Sequence, residues 1–160
     1  MNTNYLDTFN IVVTALLQDE GIQETIQRLK MKISDAEEPF VWKSIDPSPY
    51  RQQLPPDIKS IWIFVLKKDT ASIAHYHPNS TQYTVMIEGK GKAMIGDRYE
   101  TLRVCWNEDT SNWLEIDANT PHEFYPEEQD MVVISFHTSL SEELIEIKCD
   151  SGEVRGYEEK

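Results

Sequence analysis

Residues 71–91 read ASIAHYHPNSTQYTVMIEGKG, and the alternation inside them decides the fold class. Its first half predicts a strand with Ala71, Ile73, His75 and His77 on one face and Ser72, Ala74 and Tyr76 on the other. Imidazoles at i and i+2 of a strand point the same way about 7 Å apart, close enough for one metal ion. Pro78, Asn79 and Ser80 then form a turn. A second strand begins at Gln82, which shares a face with Thr84, Met86 and Glu88, while Tyr83, Val85 and Ile87 take the opposite face. Gly89 and Gly91 close it with another turn.

Downstream and just upstream the chain continues in short strands. Ile61–Leu66 is an apolar run suited to a buried strand, and Lys92–Ile95 leads into a Gly96-Asp97 turn. Tyr99–Val104, Trp113–Ile116 and Met131–His137 continue the series, which predicts an all-β sandwich or barrel. Before it, Phe9, Val12, Val13, Leu16 and Leu17 follow helical spacing, with Asp7 as N-cap, and Ile22, Ile26, Leu29 and Ile33 repeat the pattern after a break at Gly21. These two helices either cover the core of their own domain or form a partner surface. Five prolines between Asp35 and Asp57 exclude a long helix there and leave an arm with a short strand at Phe40–Trp42. After the strands, Ser139 and Glu142 form a capping box for a helix to Ile147, and the polar residues from Asp150 read as a frayed tail. The expected organisation is one domain: helices and Pro-rich arm over 1–57, β-structure over 58–138, C-terminal helix and tail over 139–160.

Composition narrows the partners. The 160 residues carry a formal charge of −13, which repels phosphate backbones and anionic lipid heads, so neither nucleic acid nor a membrane surface is expected. The run Ile11–Leu17 is too short to span a bilayer and follows Asp7 where a signal peptide carries Lys or Arg, so a cytoplasmic location is expected. Cys105 and Cys149 are too few for a disulfide framework and read as reduced thiols.

The stretch 69–91 resembles the first motif of the cupin family: Gly, five residues, His-x-His, three or four residues, Glu, six residues, Gly. The histidines are His75 and His77, and Gly89 closes the motif; Asp69 replaces the leading Gly and Gln82 replaces Glu. SNWLEIDANTPHEFYP matches the second motif at His122, while Ser111, Asp117, Asn119 and Pro126 stand at its two Gly, Pro and Asn positions. The likeness covers roughly residues 58–138, and HYHPNSTQ followed by VVISFHT resembles a subgroup of small bacterial cupins. It implies a jelly-roll barrel, a divalent transition metal (Fe, Mn, Ni, Cu or Zn) and, as in many cupins, a homodimer. The implied metal ligands are His75, His77, Gln82 and His122. Gln82 either coordinates or lies near the metal without touching it, because an amide oxygen is a weaker ligand than a carboxylate.

Strand parity turns Ile73, Thr84, Met86 and Phe124 inward beside the histidines, as an apolar lining for a small ligand, with Tyr76 and Tyr83 facing away. His137 shares a strand face with Met131, Val133 and Ser135. It either lines the same cavity or is a satisfied structural histidine. Trp62, Trp106 and Trp113 pack between the sheets or at the mouth. Three functions stay open: a metal-dependent enzyme on a small organic molecule, foremost a dioxygenase; a non-catalytic binding or sensing module; and a scaffold that has lost its metal.

Overall fold

The computed structural model describes residues 3–104 and 112–157, so Cys105, Trp106 and Ser111 lie outside the described residues. Among the described residues, two helices, α1 (Thr3–Gln18) and α2 (Glu20–Ile33), precede eleven strands. In chain order these are β1 (Phe40–Ile45), β2 (Ser60–Leu66), β3 (His75–Tyr76), β4 (Gln82–Glu88), β5 (Gly91–Ile95) and β6 (Arg98–Leu102). They continue with β7 (Leu114–Ile116), β8 (His122–Pro126), β9 (Met131–His137), β10 (Ile145–Lys148) and β11 (Val154–Gly156). The strands form two antiparallel sheets, ordered β1-β2-β9-β4-β7 and β11-β10-β3-β8-β5-β6. The two sheets stay separate, so the jelly roll takes the form of an open sandwich and not the closed barrel expected.

Side-chain period 2 explains the layering. In β2, β4 and β9, Ile61, Ile63, Val65, Tyr83, Val85, Ile87, Val132, Ile134 and Phe136 face one way, into a core shared with Phe9, Val12, Val13, Leu16, Ile26 and Ile33 of the helices. The alternate residues Trp62, Leu66, Met86, Met131 and Val133 face a second core with Ala93, Ile95 and Phe124 of the other sheet. Strands buried on both faces need nearly continuous apolar sequence, which is what these three have. The helices are therefore a third layer of the domain. Phe9 is the contact between layers, fully buried, with its ring 4.8 Å from Phe136, 5.1 Å from Tyr83 and 5.2 Å from Trp113.

Several local expectations are corrected. The N-terminal helix starts at Thr3, so Asp7 lies inside it, and the break falls at Asp19, whose carboxylate accepts from the Ile22 N–H at 3.1 Å. Asp19 offers a side-chain cap that Gly21 lacks, and Gly21 is simply part of α2. The expected strand from Ala71 shortens to β3, because the backbone turns left-handed at Asp69 (φ 53°) and Ile73 (φ 84°). Residues 122–126, absent from the series of expected strands, form β8 between β3 and β5. The C-terminal helix is absent: Ser141–Glu143 make one 3₁₀ turn, Leu144 is extended, and the chain enters β10. There the ladder to β3 outweighs local helix preference, since Ile147 pairs with Tyr76 and Lys148 with His75. Nor is the tail frayed before residue 157, because β11 pairs with β10 and Tyr157 is buried.

Truncating Phe9 to Ala removes the ring that joins the helices to the β2/β9/β4 face. The expected cost is about 3–5 kcal/mol. Denaturant unfolding checks it: a loss below about 1 kcal/mol would mean that the helical layer is not integral to the core.

Candidate metal centre

His75 and His122 are direct cross-strand partners on β3 and β8, and His77 follows immediately after β3. Gln82, which opens β4, comes from the facing sheet, so the site lies between the two layers. One ring nitrogen from each of the three histidines lies within 4.8 Å of the others, and all three side chains are buried. The three could hold a metal ion.

Each ring is oriented by the backbone. His75 Nδ1 is 2.9 Å from the Ile73 carbonyl, His77 Nδ1 is 2.8 Å from that of Ile145, and His122 Nδ1 is 3.0 Å from that of Thr120. A carbonyl only accepts, so Nδ1 carries the proton in all three and the Nε2 lone pair is left free for a cation. His122 Nε2 is buried without a partner. Burial, with the neighbouring His75 second, pushes the His77 pKa down to about 3. Burial likewise holds His122 well below the ordinary value. These rings are neutral at pH 7, the form that binds metal.

The carbonyl that orients His75 belongs to a strained residue. Ile73 has φ 84°, a conformation that costs a β-branched side chain on the order of 1–3 kcal/mol. Neighbouring bonds hold it there: Ser72 N–H donates to the Phe124 carbonyl, Phe124 N–H donates to Ser72 Oγ, and Cys149 N–H donates to the Ala74 carbonyl.

Gln82 is fixed by its amide nitrogen. Nε2 donates to Thr84 Oγ1 at 2.6 Å and to Ser135 Oγ at 3.3 Å, and those two hydroxyls are 2.7 Å apart. Its Oε1 is left buried and without a hydrogen-bond partner. A buried amide oxygen with no donor is costly unless something positive reaches it. A cation among the His lone pairs fits that need.

The cavity over these groups has a volume of about 30 Å³. Phe40, Phe64, Leu66, Phe124 and Val133 form its apolar wall, with Ser72, Tyr157, the three histidines and Gln82 completing the lining. Of the lining expected from parity, Phe124 is present. Thr84 is taken up in holding Gln82, Met86 packs in the inter-sheet core, and Ile73 contributes its carbonyl. His137 is fully buried, with Nδ1 3.0 Å from Ser80 Oγ and its ring 5.2 Å from His77, but it lies outside the cavity wall. Tyr83 faces the helices, and so does Trp113, whose Nε1 donates to Asn10; Trp62 packs between the sheets. Two residues without a sequence signal belong here. Glu146 places Oε1 3.3 Å from His75 Nδ1, and Tyr157 comes from a stretch read as tail.

No protein-family model and no curated protein matches the chain. Solved structures do. Vicilin from Corylus avellana (hazelnut) superposes with a TM-score of 0.54 at 13% identity, over 71% of this chain and 32% of its own. The oxalate decarboxylase of Lactobacillus farciminis, in complex with formate, gives 0.54 at 12% identity, over 71% and 32%. CapF with the inhibitor 3-isopropenyl-tropolone gives 0.50 at 13%, over 78% and 33%. These are cupin-fold proteins. The chain has the cupin fold. It spans about a third of the length of these cupins, and at such identities the likeness is one of fold. Among the described residues no helix is long and apolar enough to cross a membrane.

The buried neutral histidines set a pH dependence. Below about 6.5 the unfolded chain protonates His77, whereas the folded metal-free protein does so only near 3. Unfolded protein therefore binds more protons in that window, and stability falls as pH drops through it. The denaturation midpoint of metal-free protein should decline from pH 7.5 to 5; a constant midpoint would show that these rings titrate as free histidine.

Proposed function

We propose that this protein is a metal-dependent enzyme of the cupin fold acting on a small organic molecule, foremost a dioxygenase. His75, His77 and His122 are its nitrogen donors and Gln82 Oε1 its oxygen donor. The observation that carries this reading is the convergence of buried acceptors without donors, above all His122 Nε2 and Gln82 Oε1, around one small cavity. Three neutral imidazoles and an amide oxygen suit Fe, Mn, Ni, Cu or Zn, and such an ion supplies Lewis-acid chemistry or, as iron, redox chemistry.

The chain's own groups do the rest. Thr84 and Ser135 keep the amide oxygen of Gln82 turned to the cavity, and Phe40, Phe64, Leu66 and Phe124 form an apolar wall beside it. Burial, then the Glu146 carboxylate it hydrogen-bonds to, pushes the Tyr157 phenol well above its ordinary 10, so it stays protonated, and its ring lines the cavity. About 30 Å³ is room for a water or two. The ligand is therefore of few atoms, or reaches the ion with one end.

One observation favours the second reading, a non-catalytic binding module: no carboxylate is among the residues lining the cavity. Glu123 accepts from Tyr125 and Glu88 pairs with Lys30 at 2.8 Å, so neither serves as base there. The homodimer implied by the resemblance and the cytoplasmic location expected from the sequence are carried as part of this proposal. Ile11 and Met31, exposed on the helices, give a dimer apolar surface to cover.

Elemental analysis of untagged protein should find near-stoichiometric metal that is lost in His77→Ala. Bound iron would be followed by oxygen-consumption assays over small acids and phenols. A metal-free protein that stays so after reconstitution would sink the proposal, and metal without turnover would favour the binding module. Gln82→Glu adds a negative charge to the donor set and should tighten metal binding by about tenfold or more. Unchanged affinity in a chelator competition would mean that residue 82 does not touch the ion.

A further inference from the structure

Glu146 is 2% exposed in the middle of β10, an uncommon place for a carboxylate. Its Oε1 approaches His75 Nδ1 at 3.3 Å, from behind the ring that faces the cavity. Its Oε2 has no hydrogen-bond partner and lies 3.8 Å from Arg155 Nη1. Arg155 is the only cation recorded beside Glu146 among the described residues, and its Nη2 is engaged with Glu38 at 2.7 Å. One guanidinium thus serves two carboxylates, with the better geometry given to the exposed one. Besides His75, Glu146 faces one shared guanidinium at 3.8 Å and the phenol of Tyr157, which hydrogen-bonds to it, while Oε2 is left without a partner. The same strand also holds a second ligand, since the Ile145 carbonyl accepts from His77 Nδ1.

On the metal-binding reading above, we infer that Glu146 is a positioning residue of the centre. It holds His75 from behind and supplies the negative charge that Gln82 does not. A cation on the far nitrogen of His75 makes its Nδ1–H a stronger donor, which draws the ring towards the Glu146 carboxylate and gives that buried charge a counterpart. The carboxylate missing from direct contact with the ion has moved one residue outwards. The β10–β11 hairpin is then part of the site, with β10 behind His75 and His77 and Tyr157, just past β11, on the cavity wall.

The test is Glu146→Gln, which keeps the shape and an acceptor for His75 and removes only the charge. Affinity for Zn(II) and Co(II) is read by competition with a chromophoric chelator, and the melting temperature of the metal-free protein is read beside it. Metal affinity should fall about ten- to a hundredfold. The metal-free melting temperature should hold, since glutamine keeps the shape and an acceptor for His75 and Tyr157. Arg155→Gln moves the other way: it should tighten metal binding several-fold and lower metal-free stability. Unchanged affinity in Glu146→Gln overturns the inference. So does a loss of affinity matched by a fall in metal-free stability, which would assign Glu146 to the fold through Arg155. Weaker binding in Arg155→Gln overturns it too. Wild-type protein that takes up neither ion overturns the metal-binding reading itself, before any variant is compared.

Discussion

Three hydrogen bonds from imidazole Nδ1 to backbone carbonyls set the terms for the rest of the molecule. They fix the tautomer at His75, His77 and His122 and turn three lone pairs towards one small cavity. The arrangement is unfavourable by itself where an acceptor is buried without a donor, as His122 Nε2 is. It persists because the carbonyls come from three elements anchored elsewhere: the Ile73 turn, the Thr120 turn and the start of β10. The stability of the layers, above all the doubly buried β2, β4 and β9, is what holds these anchors in place.

The two turns explain how the site forms without the family's glycines. Asp69 and Asn119 stand where the two motifs ask for Gly, and both have positive φ, 53° and 65°. Asp and Asn are the side chains that enter this region most readily after Gly. At these two positions the backbone is left-handed, and a short polar side chain accommodates it. Ile73 has no such excuse. Its φ of 84° is imposed by bonds on both sides, and the strain sits on the residue whose carbonyl orients His75.

Legibility in the sequence followed the strength of the periodic signal. Parity along β4 and β9 separated the residues of one face from those of the other, because both faces are buried and a one-residue slip would exchange them. The metal-ligand candidates were legible because four histidines are few and three carried motif spacing. The stretch 71–74 misled, since its alternation is real in sequence but broken by a backbone turn that propensity cannot foresee. At the C-terminus SLSEELIEIK reads as a capped helix, and pairing with β3 overrode it. Glu146 had no signal at all: between Ile145 and Ile147 a carboxylate is expected to face solvent, whereas here the isoleucines are half-buried and the acid is inside.

That inversion bears on how the site balances charge. A ligand set of three neutral imidazoles and one amide carries no charge, so a dication there would sit in an apolar cavity unneutralised at first contact. The nearest carboxylate lies behind a histidine, and the hydroxyls of Thr84 and Ser135 occupy the donors of the amide. On the proposed ligand set, the electrostatic support of the centre would be displaced outwards, with neutral donors around the ion. An ion held that way keeps more of its positive field on the cavity side, where a small anionic or polarisable ligand would meet it. Placing a carboxylate directly on the ion would hold it more firmly and weaken that field, which is a physical reason for an amide at residue 82.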